Sequence, residues 1–378
     1  MKTRKDWPTP ENGSGQSVPK KNKKKKKHRG AQILLVILMV ILLLLMVVVA
    51  AAYAYYLRIV GNLQPDETRD PNETLSSSEM ADLGGDPLDS QLGSQLSGLP
   101  TVVPTIPTIS NTVPPEYTEH VTNILLIGTD ERTQSFSNKA RGDSCMLLSI
   151  NTSGSAPVVS LVSFERGMGM PILSGHYAGQ WDWLTHLFRY GGAEMMMQSI
   201  ETCFNIKIDH YVRVNFATFA AGIDALGGVD VKFSSKEAEY FNRYSDMNAV
   251  VGTNHLNGEN ALRFARLRSI DSDWQRIERQ RKIISAAINK LKTKNLAELD
   301  ALITTCTKLV RTDLTQDAIT RLLLEVVPGL TNVTVQQMTI PQKGTYGSQK
   351  VMGGRNAFAP DFEENTRLLH NMIYGLSN

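Results

Sequence analysis

Cysteine is scarce in this sequence: Cys145, Cys203 and Cys306 are the only three in 378 residues. They form no C-x-x-C pair and no Cys/His spacing, which argues against a thiolate zinc site and a disulfide framework; buried free thiols are expected. His186, His210 and His255 are scattered without ligand spacing and are read as structural. No G-x-S-x-G or H-E-x-x-H stretch occurs, which argues against a serine esterase or zinc hydrolase, and there is no P-loop. Internal repeats are absent too. Excess positive charge is confined to one end. Residues 1–30 hold eleven Lys and Arg against Asp6 and Glu11, a net of +9, so the remainder of this +3 chain carries −6. An acidic body argues against bulk nucleic-acid binding, and no nucleic-acid partner is expected.

Long apolar runs are confined to a single place. Ile33 to Ala52 is uninterrupted for twenty residues, enough at about 1.5 Å per helical residue to span a bilayer core of roughly 30 Å. Tyr53, Tyr55 and Tyr56 follow at the interface, and the polylysine stretch on the near side places the N-terminus in the cytoplasm. The run is too long for a cleaved signal peptide. The expected layout is a basic cytoplasmic tail over residues 1–30 and a transmembrane helix over 31–56. A tether over 57–116 and an extracellular domain over 117–378 follow. The result is a single-pass type II protein of the cell membrane. Between residues 61 and 120 lie eight of the sixteen prolines, and Arg69 is the segment's sole Lys or Arg. Such a composition predicts a disordered Pro/Ser/Thr-rich tether.

Beyond Tyr117 apolar strands alternate with helices. The segments 121–127, 145–150, 158–163, 210–215, 229–233 and 333–340 read as strands. Helices are predicted over 181–204, broken at Gly191-Gly192, and over 216–226, 257–265, 296–310, 315–327 and 361–374, with a long one from Asp273. The fold class is therefore α/β: one domain with a central mixed sheet covered by helices on both faces. Met195, Met196 and Met197 read as core, with a lipid-tail tunnel as the alternative, and Trp181 and Trp183 as core, lid or sugar groove.

The polar residues gather at loops. Asp130 follows the first strand, Arg141 and Asp143 precede the second, and Arg166 follows the third. Asp130 and Asp143 at neighbouring strand ends suit a hard divalent cation. Arg266, Arg268, Arg276 and Arg279 crowd one later stretch. Arg266 and Arg268 would share a face of an extended segment, and Arg276 and Gln280 a face of a helix with Asp273 as its N-cap. Forked guanidiniums suit bidentate contact with phosphate oxygens. The competing reading is a salt-bridged surface helix with Asp271, Asp273 and Glu278 as partners.

The ordered motifs Asn123 to Asp130, Arg141-Gly-Asp143, Leu161 to Arg166, Tyr190-Gly-Gly192, Ile208 to Tyr211, Asp224 to Asp230, His255 to Leu262 and Arg266 to Gln280 resemble the LytR-CpsA-Psr family. Its members transfer glycopolymers such as teichoic acids or capsular polysaccharides from a polyprenyl-pyrophosphate carrier to peptidoglycan in the bacterial envelope. The resemblance implies a metal site at Asp130 and Asp143 for Mg²⁺, with Mn²⁺ the second choice. It also implies pyrophosphate contacts from Arg141, Arg166, Arg266, Arg268, Arg276 and Gln280, with Arg166, Arg266 and Arg268 catalytic. The donor would be a polyprenyl-pyrophosphate-linked glycan, and the acceptor peptidoglycan. A non-catalytic scaffold or regulator that binds polyprenyl-linked intermediates is the second reading. One departure stands out: where the family usually has Pro-Arg-Asp, this chain has Glu165-Arg166-Gly167.

Overall fold

A computed structural model describes residues 61–376 except 63, 68, 109–112 and 134. The expected cytoplasmic tail and transmembrane helix lie outside the described residues. Among the described residues no helix is long and apolar enough to cross a membrane.

Two short helices, α1 (Ser77–Gly84) and α2 (Leu88–Gln95), and a single turn, α3 (Pro115–Thr118), precede the sheet. Strands β1 (Val121–Thr129), β2 (Gly142–Asn151) and β3 (Val158–Phe164) pair antiparallel in sequence. Two small strands, β4 (Gly169–Pro171) and β5 (Trp181–Trp183), lead into α4 (Leu184–Phe204). Then come β6 (His210–Asn215), α5 (Phe216–Ala225), β7 (Val229–Phe233), α6 (Ser235–Tyr244), β8 (Gly252–Leu256), α7 (Gly258–Arg266) and α8 (Asp273–Leu291). The chain closes with α9 (Leu296–Cys306), β9 (Arg311–Thr312), α10 (Gln316–Val326), β10 (Thr334–Ile340), β11 (Tyr346–Val351), β12 (Arg355–Pro360) and α11 (Phe362–Tyr374).

The main sheet has the order β10-β3-β2-β1-β6-β9. It is mixed, with β6 parallel to β1 and β10 parallel to β3. Alternation of side chains sends Leu125, Ile127, Leu147 and Phe164 into a core with Leu187 and Phe188 of α4 and Leu369 and Ile373 of α11. Met146, Val159 and Leu161 point to the opposite face, where Ile284 and Ile288 of α8 pack. Both faces are covered, which is why these strands read as unbroken apolar runs. The predicted break in α4 occurs where Gly191 and Gly192 leave helical geometry, Gly192 with φ of 67°. The helix begins later than expected, because Trp181–Trp183 pairs with Gly169–Pro171 as a strand. Trp183 is fully buried, donating from its indole N–H to the Asn356 carbonyl at 2.7 Å. The three cysteines are free, and burial pushes their thiols above the usual range.

The expected disordered tether is corrected by the structure over much of its length. Ser76 and Glu79 form a reciprocal capping box on α1, and Glu79 accepts from Arg69 at 2.7 Å. Leu83 is buried in the main core. Leu88, Leu92 and Leu96, spaced by four, lie against Trp183, Val351 and Phe358. Each such burial contributes on the order of 1.5–3 kcal/mol. Further on, Val102 N–H donates to Ser348 O at 2.8 Å. Low apolar content and regular prolines mask this segment in the sequence. A few leucines at helical spacing suffice because the receiving surface already exists.

Candidate active site at the strand ends

β1, β3 and β6 end on the same edge of the sheet, where β2 begins. The β1–β2 register shifts between Gly128 (opposite Ser144) and Thr129 (opposite Gly142), leaving Asp143 as an extra residue. A bulge of this kind re-aims a side chain next to a site. A cavity of about 320 Å³ opens at this edge, lined by Asp130, Arg132, Arg141, Asp143, Ser144, Phe216, Arg266, Arg268, Arg276 and Gln280, among others. All the predicted site residues but Arg166 line it. Arg166 sits behind, donating to Asp143 Oδ1 at 3.4 Å.

Asp143 Oδ1 also accepts from the Thr185 hydroxyl at 3.3 Å. Burial pushes its carboxyl pKa up, but the guanidiniums of Arg166, Arg276, Arg141 and Arg268 outweigh that, and the net shift is downward. The group is therefore ionised at neutral pH. Asp130 closes its own loop, accepting from the Arg141 backbone N–H at 3.1 Å and from Arg141 Nε at 3.2 Å. Gln280 accepts from the Ser144 hydroxyl at 3.0 Å. Arg276 is buried, while Arg266 and Arg268 are exposed. Arg266 stacks over Phe216, its Cζ 4.1 Å from the ring centroid. Two carboxylates facing one cavity match the one or two protein ligands that Mg²⁺ takes beside phosphate oxygens and water. Among the described residues no three His, Cys, Asp or Glu converge into a closed metal cage.

Several expectations need correction. Arg266 ends helix α7 instead of lying in an extended segment; buried Leu267 then turns the chain so that Arg266 and Arg268 still reach one cavity. Ser272, not Asp273, is the N-cap of α8, and Asp273 is its first helical residue. Arg279 belongs to neither the cavity nor the solvent. It is buried, donating to Glu237 at 2.7 Å, to Asp271 and to the Leu267 carbonyl at 2.9 Å. Of the salt-bridged surface helix, only the Asp271 pairing holds for Arg279; the pair is buried, and Glu237 is a partner the sequence did not indicate. Met195 and Met196 are core. An apolar cavity lies elsewhere: about 260 Å³ between β1, β2 and β6 and the helices α5, α7 and α8, lined by Leu126, Met146, Val212, Val214, Phe219 and Leu262. The registers Leu126↔Met146 and Leu126↔Val212 put these strand residues on one sheet face. This cavity shares Gly128, Ser144, Phe216, Ala265, Arg266 and Gln280 with the polar one.

Arg132 and Asp86 escaped the sequence reading. Proximity to Asp130 was a signal for Arg132; Asp86 had none. The Gly167 departure acquires a physical reason: a Cβ there would lie 2.6 Å from Leu92 Cδ1 and 3.3 Å from Leu88 Cδ2. Helix α2 fills the space an aspartate would need. Gly167→Asp should therefore destabilise the chain by at least ~1–3 kcal/mol from overpacking, with a further cost for burying a carboxylate among leucines. Urea denaturation measures this; wild-type stability of the variant would show that α2 does not dock as described.

The fold and site define an α/β domain with a guanidinium-rimmed polar cavity at its strand ends and an apolar cavity beside it. The family model LytR_cpsA_psr matches residues 104–372, and the chain belongs to that family. Among its relatives is the polyisoprenyl-teichoic acid–peptidoglycan teichoic acid transferase TagU of Bacillus cereus. It is 34% identical over 198 residues, covering 52% of this chain and 61% of that protein. The chain thus matches less than two thirds of that relative's length. Among solved structures, TagT bound to LIIa-WTA gives a TM-score of 0.54 at 24% identity, covering 71% of this chain and 95% of that one. The family protein YwtF (TagT) with bound octaprenyl pyrophosphate lipid gives 0.50 at 21% identity, covering 73% and 100%. Both share the fold.

Proposed function

We propose that the chain is a cell-envelope transferase that moves a glycopolymer from a polyprenyl-pyrophosphate carrier to peptidoglycan and releases polyprenyl phosphate. One observation carries this reading: an arginine-rimmed cavity that shares six lining residues with an apolar one. That pairing suits a ligand with an anionic head and a hydrocarbon tail. TagU's name and the octaprenyl pyrophosphate in the TagT structure support the same chemistry. Arg141, Arg266, Arg268 and Arg276 neutralise and orient the phosphate oxygens, Arg166 holds Asp143 from behind and adds its charge, and Gln280 braces the wall through Ser144. Phosphoryl transfer rests mostly on such positioning and charge neutralisation. The acceptor hydroxyl oxygen bonds to the glycan-linked phosphorus as that phosphorus loses its bond to the bridging oxygen; the hydroxyl proton passes to water, and polyprenyl phosphate leaves with the bridging oxygen. Asp130 and Asp143 would hold Mg²⁺, or Mn²⁺, which supplies Lewis-acid neutralisation of the pyrophosphate when bound. The N-terminal apolar run would anchor the protein with this domain outside the cell.

The test is release of polyprenyl phosphate from a lipid-linked glycan by the full chain in detergent, with Mg²⁺ and with chelator. Metal-dependent release is expected. Binding of the lipid without release would favour the second reading, a scaffold for polyprenyl-linked intermediates, which the leucine-covered Gly167 keeps in play.

A further inference from the structure

Asp86 lies in the loop between α1 and α2, outside the residues that match the family model. Its two carboxylate oxygens have different partners. Oδ1 accepts from the Leu88 N–H at 2.9 Å, fixing the carboxylate at the start of α2. Oδ2 faces two guanidiniums at once, 3.6 Å from Arg141 Nη1 and 3.8 Å from Arg166 Nη1. Those arginines arrive from different strands, and each also touches one of the two candidate metal carboxylates. Arg141 Nη2 is 3.1 Å from Asp130, and Arg166 Nη1 is 3.4 Å from Asp143. Asp86 is buried and is absent from the cavity wall, so it reaches a bound ligand through the arginines alone.

We propose that Asp86 is a positioning residue: a shared counter-anion that ties the guanidiniums of Arg141 and Arg166 to one point beside the closer contacts they make with Asp130 and Asp143, delivered to the site by the segment 69–108. Without its charge, both guanidiniums lose the common anion that sets them relative to each other. Arg141 at the cavity wall, and Asp143 through Arg166, would then be held less firmly, which lowers turnover. The same loss removes a negative charge that competes with an incoming anion for Arg141 and Arg166. Affinity and turnover should therefore move in opposite directions, which simple loosening of α2 does not do.

This inference rests on the transferase reading for its kinetic arm alone. Asp86→Asn keeps the oxygen that accepts from Leu88 and removes the charge. Calorimetry of the full chain in detergent, titrated with inorganic pyrophosphate, should show at least threefold tighter binding. Release of polyprenyl phosphate should fall about tenfold or more in kcat. Asp89→Ala is the docking control, since Asp89 accepts from the Asn356 backbone N–H at 2.7 Å and pairs with no arginine among the described residues. It should leave pyrophosphate affinity within twofold. Asp86→Glu, which keeps the charge, should also retain wild-type affinity whatever its melting temperature. Unchanged or weaker pyrophosphate binding by Asp86→Asn overturns the proposal. So does a rise in Asp86→Glu affinity to match it. A wild-type chain that binds pyrophosphate but releases no polyprenyl phosphate removes the transferase reading, and the affinity ratio still decides Asp86. A wild-type chain that binds no pyrophosphate removes both.

Discussion

Asp143→Asn is expected to lower metal-dependent turnover of a lipid-linked donor by at least ~10²-fold, since an uncharged amide neither holds a hard cation nor balances the surrounding guanidiniums. Asparagine is the informative substitution, because it keeps an acceptor for the Thr185 hydroxyl, 3.3 Å away. The domain should stay folded: Arg166 retains Asp86 as a counter-charge at 3.8 Å. Turnover is read as release of polyprenyl phosphate, and folding as the melting temperature. Near-wild-type turnover, or wild-type activity that persists in excess chelator, would exclude the metal role of this carboxylate.

A second large effect is expected at Arg268. Its side chain is exposed at the cavity wall, so a purely decorative role predicts a nearly silent Lys substitution. If it grips a pyrophosphate through a planar fork, lysine is a poor replacement. Loss of one charge-assisted contact in the transition state costs on the order of 10²–10³ in rate. Arg268→Lys should therefore cut turnover at least ~10-fold with little change in melting temperature. Two neighbours calibrate the result. Arg279→Lys should act on stability, because one ammonium cannot reproduce the forked contacts by which Arg279 holds both Glu237 and Asp271. Arg243→Lys, at an exposed pair with Glu239, should be silent in both measurements. Equal small losses of turnover at Arg268 and Arg243 would return Arg268 to the surface.

The same contrast explains why two arginines of one helix, Arg276 and Arg279, have different fates. On helix α8, Arg276 and Gln280 are four apart and share a face, so their common destination is readable from period alone. Arg279 lies one position off that face, and nothing local says whether that direction meets water or Glu237. It meets Glu237, buried on a helix 42 residues earlier in the chain. An internal control chosen from spacing alone would therefore have reported on folding.

Local rules carried β1, β2, β3, β6, β7 and β10 but not β4, β5, β8, β9, β11 or β12; they also carried the Gly191-Gly192 break, the start of α7 near Asn257, where Asn257 accepts from Asn260 N–H at 2.9 Å, and the gathering of acids and arginines at loop positions. These follow from side-chain alternation, glycine's access to positive φ and the chemistry of caps, all of which act within a few residues. Tertiary structure alone decided the rest. The extra residue in the ladder that makes Asp143 a bulge depends on pairing with a different strand. The apolar cavity exists because Leu126, Met146 and Val214 meet helices α5, α7 and α8 without filling the space between. Leu88 and Leu92 fold in a proline-rich segment because a surface around Gly167 and Trp183 receives them. Asp86 reaches two site arginines through that docking, 55 and 80 residues away in sequence. Such contacts come from the burial of distant surfaces against one another, a term that no short window of residues contains.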